Sequence, residues 1–469
     1  MSSGLNATGG TEQFRGWVPQ SNDRGTLDII ISCGATIFLC IWTSVCVNVP
    51  HPADGAWAIF RDRCYMFILG AIGPEAVYLL AIGQWCSARA SVRAFSRSRY
   101  PGWTMKHAFF ADMGAIHLKV EEMDSFPVNA KQLHFLVINK YIPYPHIPRE
   151  VIDDKNKYDG LARLISTVQI FWFTLNTVAR VITGIATTTL EITTVGFIVC
   201  TLPTLFFWRH KPMNVQFPIE LACDVPLHQI VGPRGRNAAK PYHSTPLDFI
   251  GIDDWSIYQA WRFYVSLLRK MRLVPAKPAS LPKRRISSFN FPPLTIGTIA
   301  VAAVTLATYT SVFVAAWNLH FATHVEQVLW RVTTLGSMVT AAVGPLFEGY
   351  FILPKFLSRR RVSRTHKPHE PGNETDNFEL VGRSTFHYDS NEPQTLSECT
   401  PSDAEAQGHH HGHVPKLPVP LRTVLVSTPV LGLYVIFRMY ILVEDAISLR
   451  RLPESAYAGI DWTQVIPHI

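Results

Sequence analysis

Charged side chains inside apolar runs are the residues of this 469-residue chain best placed to do chemistry. A charge at the centre of a membrane helix costs about 2.5–3.5 kcal/mol on insertion scales, so each one implies a partner or a site. Seven qualify: Glu75, Arg180, Glu191, Glu348, Arg438, Glu444 and Asp445. Glu75 and Glu348 share a context. Each follows a Gly-Pro step, in AIGPEAVYLL (Ala71–Leu80) and AVGPLFEGYF (Ala342–Phe351). Broken helices at matching places in two halves, with carboxylates near the midplane, are the pattern of a cation- or proton-coupled transporter. The plainer reading is a structural role and a chance likeness between apolar helices. Arg180 and Glu191 flank a short turn between neighbouring spans, which predicts a structural salt bridge. Arg438 and Asp445 are seven residues apart, so two helical turns return them to one face; Arg438 either pairs there or snorkels to the interface.

Other chemistry is thinly represented. His320 and His324 have the i, i+4 spacing of two metal ligands, with Glu326 nearby, but two histidines at a membrane edge also serve as polar interface residues. The GHHHGH run, Gly408–His413, reads as low complexity. There is no GxSxG elbow, HExxH, Walker loop or GxGxxG, and Asp153-Asp154 and Asp253-Asp254 lack a third acid at cluster spacing. The sequence therefore leans away from an enzyme, and no cofactor is expected. The eight cysteines include no CxxC, and most lie in or beside apolar runs, where they read as small packing residues. The basic residues hug the ends of apolar runs, which disfavours nucleic acid as a partner.

The elements that must position these groups are membrane spans. Residues are 48% hydrophobic and only 17% charged, against about 25% charged in soluble domains. The last apolar run, Thr423–Val443, holds 21 residues with one charge, Arg438, enough at about 1.5 Å per residue to cross a core of about 30 Å. The expected organisation is an all-α polytopic bundle of about seven transmembrane helices with cytosolic loop helices. Residues 1–26 are a flexible tail; 27–86 carry spans one (Leu27–Val49) and two (Cys64–Cys86); 163–208 carry three (Leu164–Thr183, its polar content also suiting a re-entrant hairpin) and four (Thr189–Trp208). Residues 294–353 carry five (Leu294–Trp317) and six (Val332–Leu353), and 421–469 the seventh and a tail. The first span lacks the features of a cleaved signal and is expected to be retained.

Three long segments intervene. Residues 87–162 contain a short helix near Asn129–Tyr141, where Asn129 and Gln132 have capping-box spacing. Residues 209–293 contain Trp255–Arg272, whose stripe includes Trp261 and Tyr264, with Arg262 and Arg269 near its edge. Trp255, Trp261, Tyr264 and these arginines predict an interfacial helix on anionic lipid headgroups; a helix packing on the protein's own cytosolic side fits equally. Residues 354–420 are basic, then polar and His-rich, and read as disordered. Lys and Arg number 34 in the tail and segments grouped with the N-terminus, and 5 on the opposite side. The positive-inside rule then places the N-terminus in the cytosol and the C-terminus in the lumen or outside, so the sequons at Asn6 and Asn373 are expected to stay unmodified.

Three blocks carry a resemblance: ISCGATIFLCIWTSVCVNVP (Ile31–Pro50), Lys157–Val199 closed by WRHKPMNV, and RMYILVEDAISLRRLPESAY with DWTQVIPHI. Together with Gln169, Trp172, Phe173, Arg180 and Glu191 they make the chain similar to a family of uncharacterised multi-pass membrane proteins of filamentous fungi. The resemblance implies architecture and brings no activity. Two functions stay open: a membrane-embedded scaffold or sensor, and a solute or ion transporter using Glu75 and Glu348.

Overall fold

Glycine and proline decide where the first apolar runs stop. Helix α1 (Thr26–Ser44) begins at Gly25, whose N–H donates to Asp28 Oδ2 at 2.8 Å. The second run is broken into two helices. Helix α2 (Ala56–Ile72) stops at Gly73, Pro74 opens helix α3 (Pro74–Arg97), and the two are bent by 114°. Proline has no N–H to continue α2 and fits the first turn of α3, so the break falls at that step.

The computed structural model describes residues 13–19, 24–51, 53–154, 159–213, 215, 217–231, 244–250, 282–343 and 421–459. The remaining elements are α4 (Met105–Asp112), α5 (Ala130–Ile138), α6 (Arg149–Asp154), α7 (Asp159–Ile182), α8 (Thr189–Phe207) and α9 (Leu227–Val231). They are followed by α10 (Ile296–Ala315), α11 (described over 324–343) and α12 (Leu421–Ile447). Four of the described helices are long and apolar enough to cross a membrane, or five if the broken pair counts as one. Their outward faces are apolar: Ile31, Phe38, Trp42, Phe171, Trp172, Phe206 and Val304 are all exposed. Hydroxyls within the helices satisfy themselves on the preceding turn, as Thr36, Thr43 and Ser44 do in α1.

The protein is mostly helical, yet the expected all-α class does not cover it. Strands β2 (Ile116–Val120) and β3 (Met123–Pro127) form a hairpin, and β4 (Ile219–Cys223) adds to β2 in parallel, with Ile116 opposite Ile219. These strands, α4 and α5 share the largest apolar core, with Phe109, Phe110, Leu118, Phe126 and Leu133 buried. Asn129 caps α5 by accepting from the Gln132 N–H at 2.9 Å. This domain is seated on helix ends: Val49 N–H donates to Met113 O at 3.1 Å, and Ser87 Oγ donates to Asp112 Oδ2 at 2.9 Å. Lys211, fully buried below Trp208, donates to Gln84 Oε1 at 2.8 Å and to Cys46 O at 3.3 Å, tying the turn after α8 to the middle of α3 and to the segment after α1. Burial lowers the Lys211 ammonium and raises the Asp112 carboxyl from their ordinary values.

The opposite end of the bundle carries both tails. Strand β1 (Phe14–Arg15) pairs antiparallel with β5 (Leu452–Pro453), and Tyr457 Oη donates to Gly16 O at 2.7 Å. This corrects the expected placement of the two tails on opposite sides, because paired strands cannot be separated by a bilayer. The source of the discrepancy is the broken pair. Asp62, on α2, bonds Arg285 beside the sheet domain, and Asn48 Nδ2, just before α2, donates to Ser287 O at 3.0 Å. The far end of α3 returns to the same domain through Ser91, which accepts from Trp103 Nε1 at 3.0 Å. Helices α2 and α3 therefore enter and leave at one end, with Gly73-Pro74 as the tip. Helix α7, by contrast, runs from the domain to the tails, where Arg180 donates to Ala456 O at 2.7 Å and Ala458 O at 3.1 Å. It ends at Gly184, whose φ of +72° favours glycine.

Candidate functional site

The tip of the broken pair is held by two residues one turn apart on α12. Tyr434 Oη donates to Glu75 Oε1 and to the Ile72 carbonyl, the latter at 3.3 Å; Arg438 Nε donates to the same carbonyl at 3.0 Å. Ile72 is the last residue of α2, so its carbonyl has no helical partner, and Glu75 sits in the first turn of α3, where the dipole favours an anion. The i, i+4 spacing lets one helix face clasp both. A Cβ added to Gly73 would stand 3.2 Å from Tyr434 Oη, so the close approach depends on that glycine.

Arg438 is 1% exposed, and its Cζ lies 5.4–5.9 Å from the ring centres of Phe197, Tyr309 and Phe313. Three rings around one guanidinium supply cation–π attraction in place of water. Glu75, Tyr309, Thr334, Ser337, Tyr434 and Arg438 surround a cavity of about 10 Å³, room for a single water. Several polar atoms there make no hydrogen bond of good geometry among the described residues: Glu75 Oε2, Arg438 Nη1 and Nη2, Thr334 Oγ1 and Ser337 Oγ. Glu75 lies nine residues up α3 from Gln84, about 13 Å along the helix.

The other charged residues occupy the tail end. Glu191 completes a capping box at the start of α8: Thr188 N–H donates to its Oε2 at 2.8 Å. Its Oε1 lies 2.7 Å from Arg24 Nη1 and 3.6 Å from Arg180 Nε, all but Arg24 nearly inaccessible. Arg180 and Glu191 are thus brought together, with Arg24 as a third member. Arg438 and Asp445 form no ion pair within 4.0 Å; Arg438 is drawn to the tip instead. Asp445, 2% exposed, stands beside the Thr189 and Thr193 hydroxyls, yet neither of its oxygens makes a hydrogen bond of good geometry. Glu444 accepts from Tyr440 Oη at 3.1 Å, and Glu326 pairs with Arg450.

His320 stacks on Phe14 with ring centres 4.0 Å apart, and no group of three or more metal-ligating side chains occurs among the described residues. Glu348, the Trp255–Arg272 segment with Trp261, Arg262, Tyr264 and Arg269, and the GHHHGH run lie outside the described residues. Sequence reasoning singled out Glu75 and Arg438 but not Tyr434, Tyr309, Thr334 and Ser337, which line the same cavity. Their one signal was a polar group at matching depth in an apolar run, and the spacing of Tyr434 one turn before Arg438.

Residues 4–228 are similar to a family of unknown function (DUF8562). The match takes in α1 to α8 and Glu75, and stops short of α10–α12, which supply the clasp. No curated protein and no solved structure matches the chain.

Proposed function

We propose that this chain is a multi-pass integral membrane protein that works as a membrane-embedded scaffold or sensor. In this reading α1, α7, α8, α10, α11 and α12 cross, making six spans, while α2 and α3 form a re-entrant hairpin. The sheet domain and the basic segments lie in the cytosol, and both tails lie on the other side. The observation that carries it is the closure around Glu75: the tip is clasped, aromatic rings pack against it, and the space left is about one water. A folded domain bonded to α3 through Asp112 and to the segment after α1 through Met113 would pass a change in the bundle to the cytosol. The transporter reading has its own support in the helix break and the unpartnered polar atoms facing the cavity.

Purified protein in sealed liposomes separates the two. A scaffold or sensor gives proton and sodium fluxes equal to those of empty vesicles under an imposed gradient. Flux above that baseline, abolished by Glu75→Gln, would establish the transporter instead.

A further inference from the structure

We propose that the domain-side part of α3 and the domain-side end of α8 form a binding surface for anionic phospholipid headgroups, with Arg89 and Arg209 as the residues that take the phosphates. The inference rests on the bundle being membrane-embedded, and it names the lipid partner at that boundary.

A row of aromatic rings joins the two helices. Phe207, the last residue of α8, packs edge-on against Trp85 of α3, with ring centres 5.4 Å apart, and against Phe206 at the same distance. An arginine covers each end of the row: Arg89 Cζ lies 4.8 Å from the Trp85 ring centre, and Arg209 Cζ lies 4.2 Å from that of Phe206. Arg209 Nη1 also donates to Phe206 O at 2.9 Å, which holds the side chain back on the last turn of α8. Below it on α8, Phe206 is 56% exposed and Leu202 47%. Apolar surface, then rings, then guanidinium groups is the order in which a phospholipid presents its acyl chains, interfacial region and phosphate. A guanidinium lying on a ring keeps its in-plane N–H groups for a phosphate.

The charges there have no acid to answer them. Arg89, Arg93 and Arg97 follow Trp85 at four-residue intervals along α3, and all three are exposed. No Asp or Glu lies between Glu75 and Asp112, and Asp112 is engaged by Ser87 Oγ and the Ala130 N–H. Among the described residues, Arg89, Arg93, Arg97 and Arg209 form no ion pair. At the tail end, by contrast, Arg15 pairs with Glu454, Arg24 and Arg180 with Glu191, and Arg450 with Glu326. Burial, then the Arg209 and Lys106 charges, pull the His210 imidazole below its ordinary value, which marks a positive potential beside the row. An acidic protein could match the arginines, but it would also have to cover Phe206 and Leu202 at the bilayer boundary. A phospholipid meets both.

The test is native mass spectrometry of the full chain, released from detergent micelles holding equal amounts of phosphatidylserine and phosphatidylcholine with the same acyl chains. Wild type should retain phosphatidylserine in excess, by about fivefold for each arginine engaged, the scale for a basic residue at an anionic lipid surface. Arg89→Gln combined with Arg209→Gln should bring the two lipids to parity. Arg89→Lys combined with Arg209→Lys should keep most of the excess, and Arg15→Gln at the tail end should keep all of it. Equal retention by wild type would overturn the proposal and leave an acidic protein as the counterpart of the arginines. An excess that survives in the double Gln variant would overturn it too. So would displacement of phosphatidylserine by an equal concentration of inorganic phosphate, which would assign a soluble anion. The wild-type lipid ratio decides the matter even if a variant fails to fold. If the chain stays in buffer without detergent, the membrane reading fails; a detergent-requiring chain with no headgroup preference fails this proposal alone.

Discussion

Arg438 illustrates how one side chain can serve a helix end, a carboxylate and an aromatic cage together. Replacing it with Gln removes the donor to the Ile72 carbonyl and the cation held among three rings. Loss of about 1–3 kcal/mol is expected, the scale for leaving a buried acceptor unsatisfied. Adding Glu75→Gln should cost less than the sum of the two singles; thermal unfolding in detergent of both singles and the double measures that coupling, and strict additivity would mean the residues act apart. A second residue sets a pH window in the sheet domain. His117 on β2 is 3% exposed, and burial pulls its imidazole from 6.5 down to about 4, aided by His51 and opposed by Glu220. The folded domain holds His117 neutral where the unfolded chain protonates it. Its stability is therefore full above 6.5 and declines as pH falls from 6.5 towards about 4. The unfolding midpoint of the domain should fall across that window, and His117→Gln should flatten the fall.

Among the helices, close approach depends on a few glycines. A Cβ on Gly83 of α3 would stand 2.7 Å from the Pro292 carbonyl, a backbone atom that cannot swing aside, whereas one on Gly34 of α1 meets nothing within 4 Å. Gly83→Ala should therefore destabilise by about 1–3 kcal/mol as overpacking. Gly34→Ala should be neutral or stabilise by up to about 1 kcal/mol through helix propensity. Comparing their melting temperatures checks both, and a milder effect at Gly83 would show that α3 does not pack there. At this scale much was legible. Asn129 and Gln132 announced the α5 cap, and the runs around α1, α7, α8, α10 and α12 announced themselves by length. The Gly-Pro step before Glu75 was legible as a break, but the return of its two arms to one end was not, because an apolar run interrupted by Gly-Pro suits a kinked crossing helix as well as a hairpin. Nor was the sheet: the partner of β2 in the parallel pair, β4, lies about 100 residues on, and local alternation does not name a partner that distant.

For the whole molecule, counting charges does not by itself choose between the two topologies. Under the proposed one, residues 1–26 and 50–63 exchange places in the count. Each segment carries two basic residues, Arg15 and Arg24 against Arg61 and Arg63. The count of 34 against 5 is unchanged, so charge alone does not register the exchange. The proposed arrangement makes a prediction the sequence reading did not. If the domain is cytosolic as proposed, the Asn6-Ala7-Thr8 sequon is the one expected to be glycosylated. Expression in a eukaryotic secretory system should give a glycosidase-sensitive mobility shift that Asn6→Gln abolishes and Asn373→Gln preserves. The reverse pattern would place the domain outside.

The clasp on the hairpin tip also sets a timetable for synthesis. Tyr434 is translated 359 residues after Glu75. At 5–20 residues per second, a nascent chain waits about 20–70 s before the partner of that carboxylate emerges. Throughout that interval the membrane would hold a helix end and an acid with nothing to bond. Chains released before α12 is made therefore lack the Tyr434 and Arg438 donors to that tip, and an unpaired polar group is what they would present to the cell's quality control.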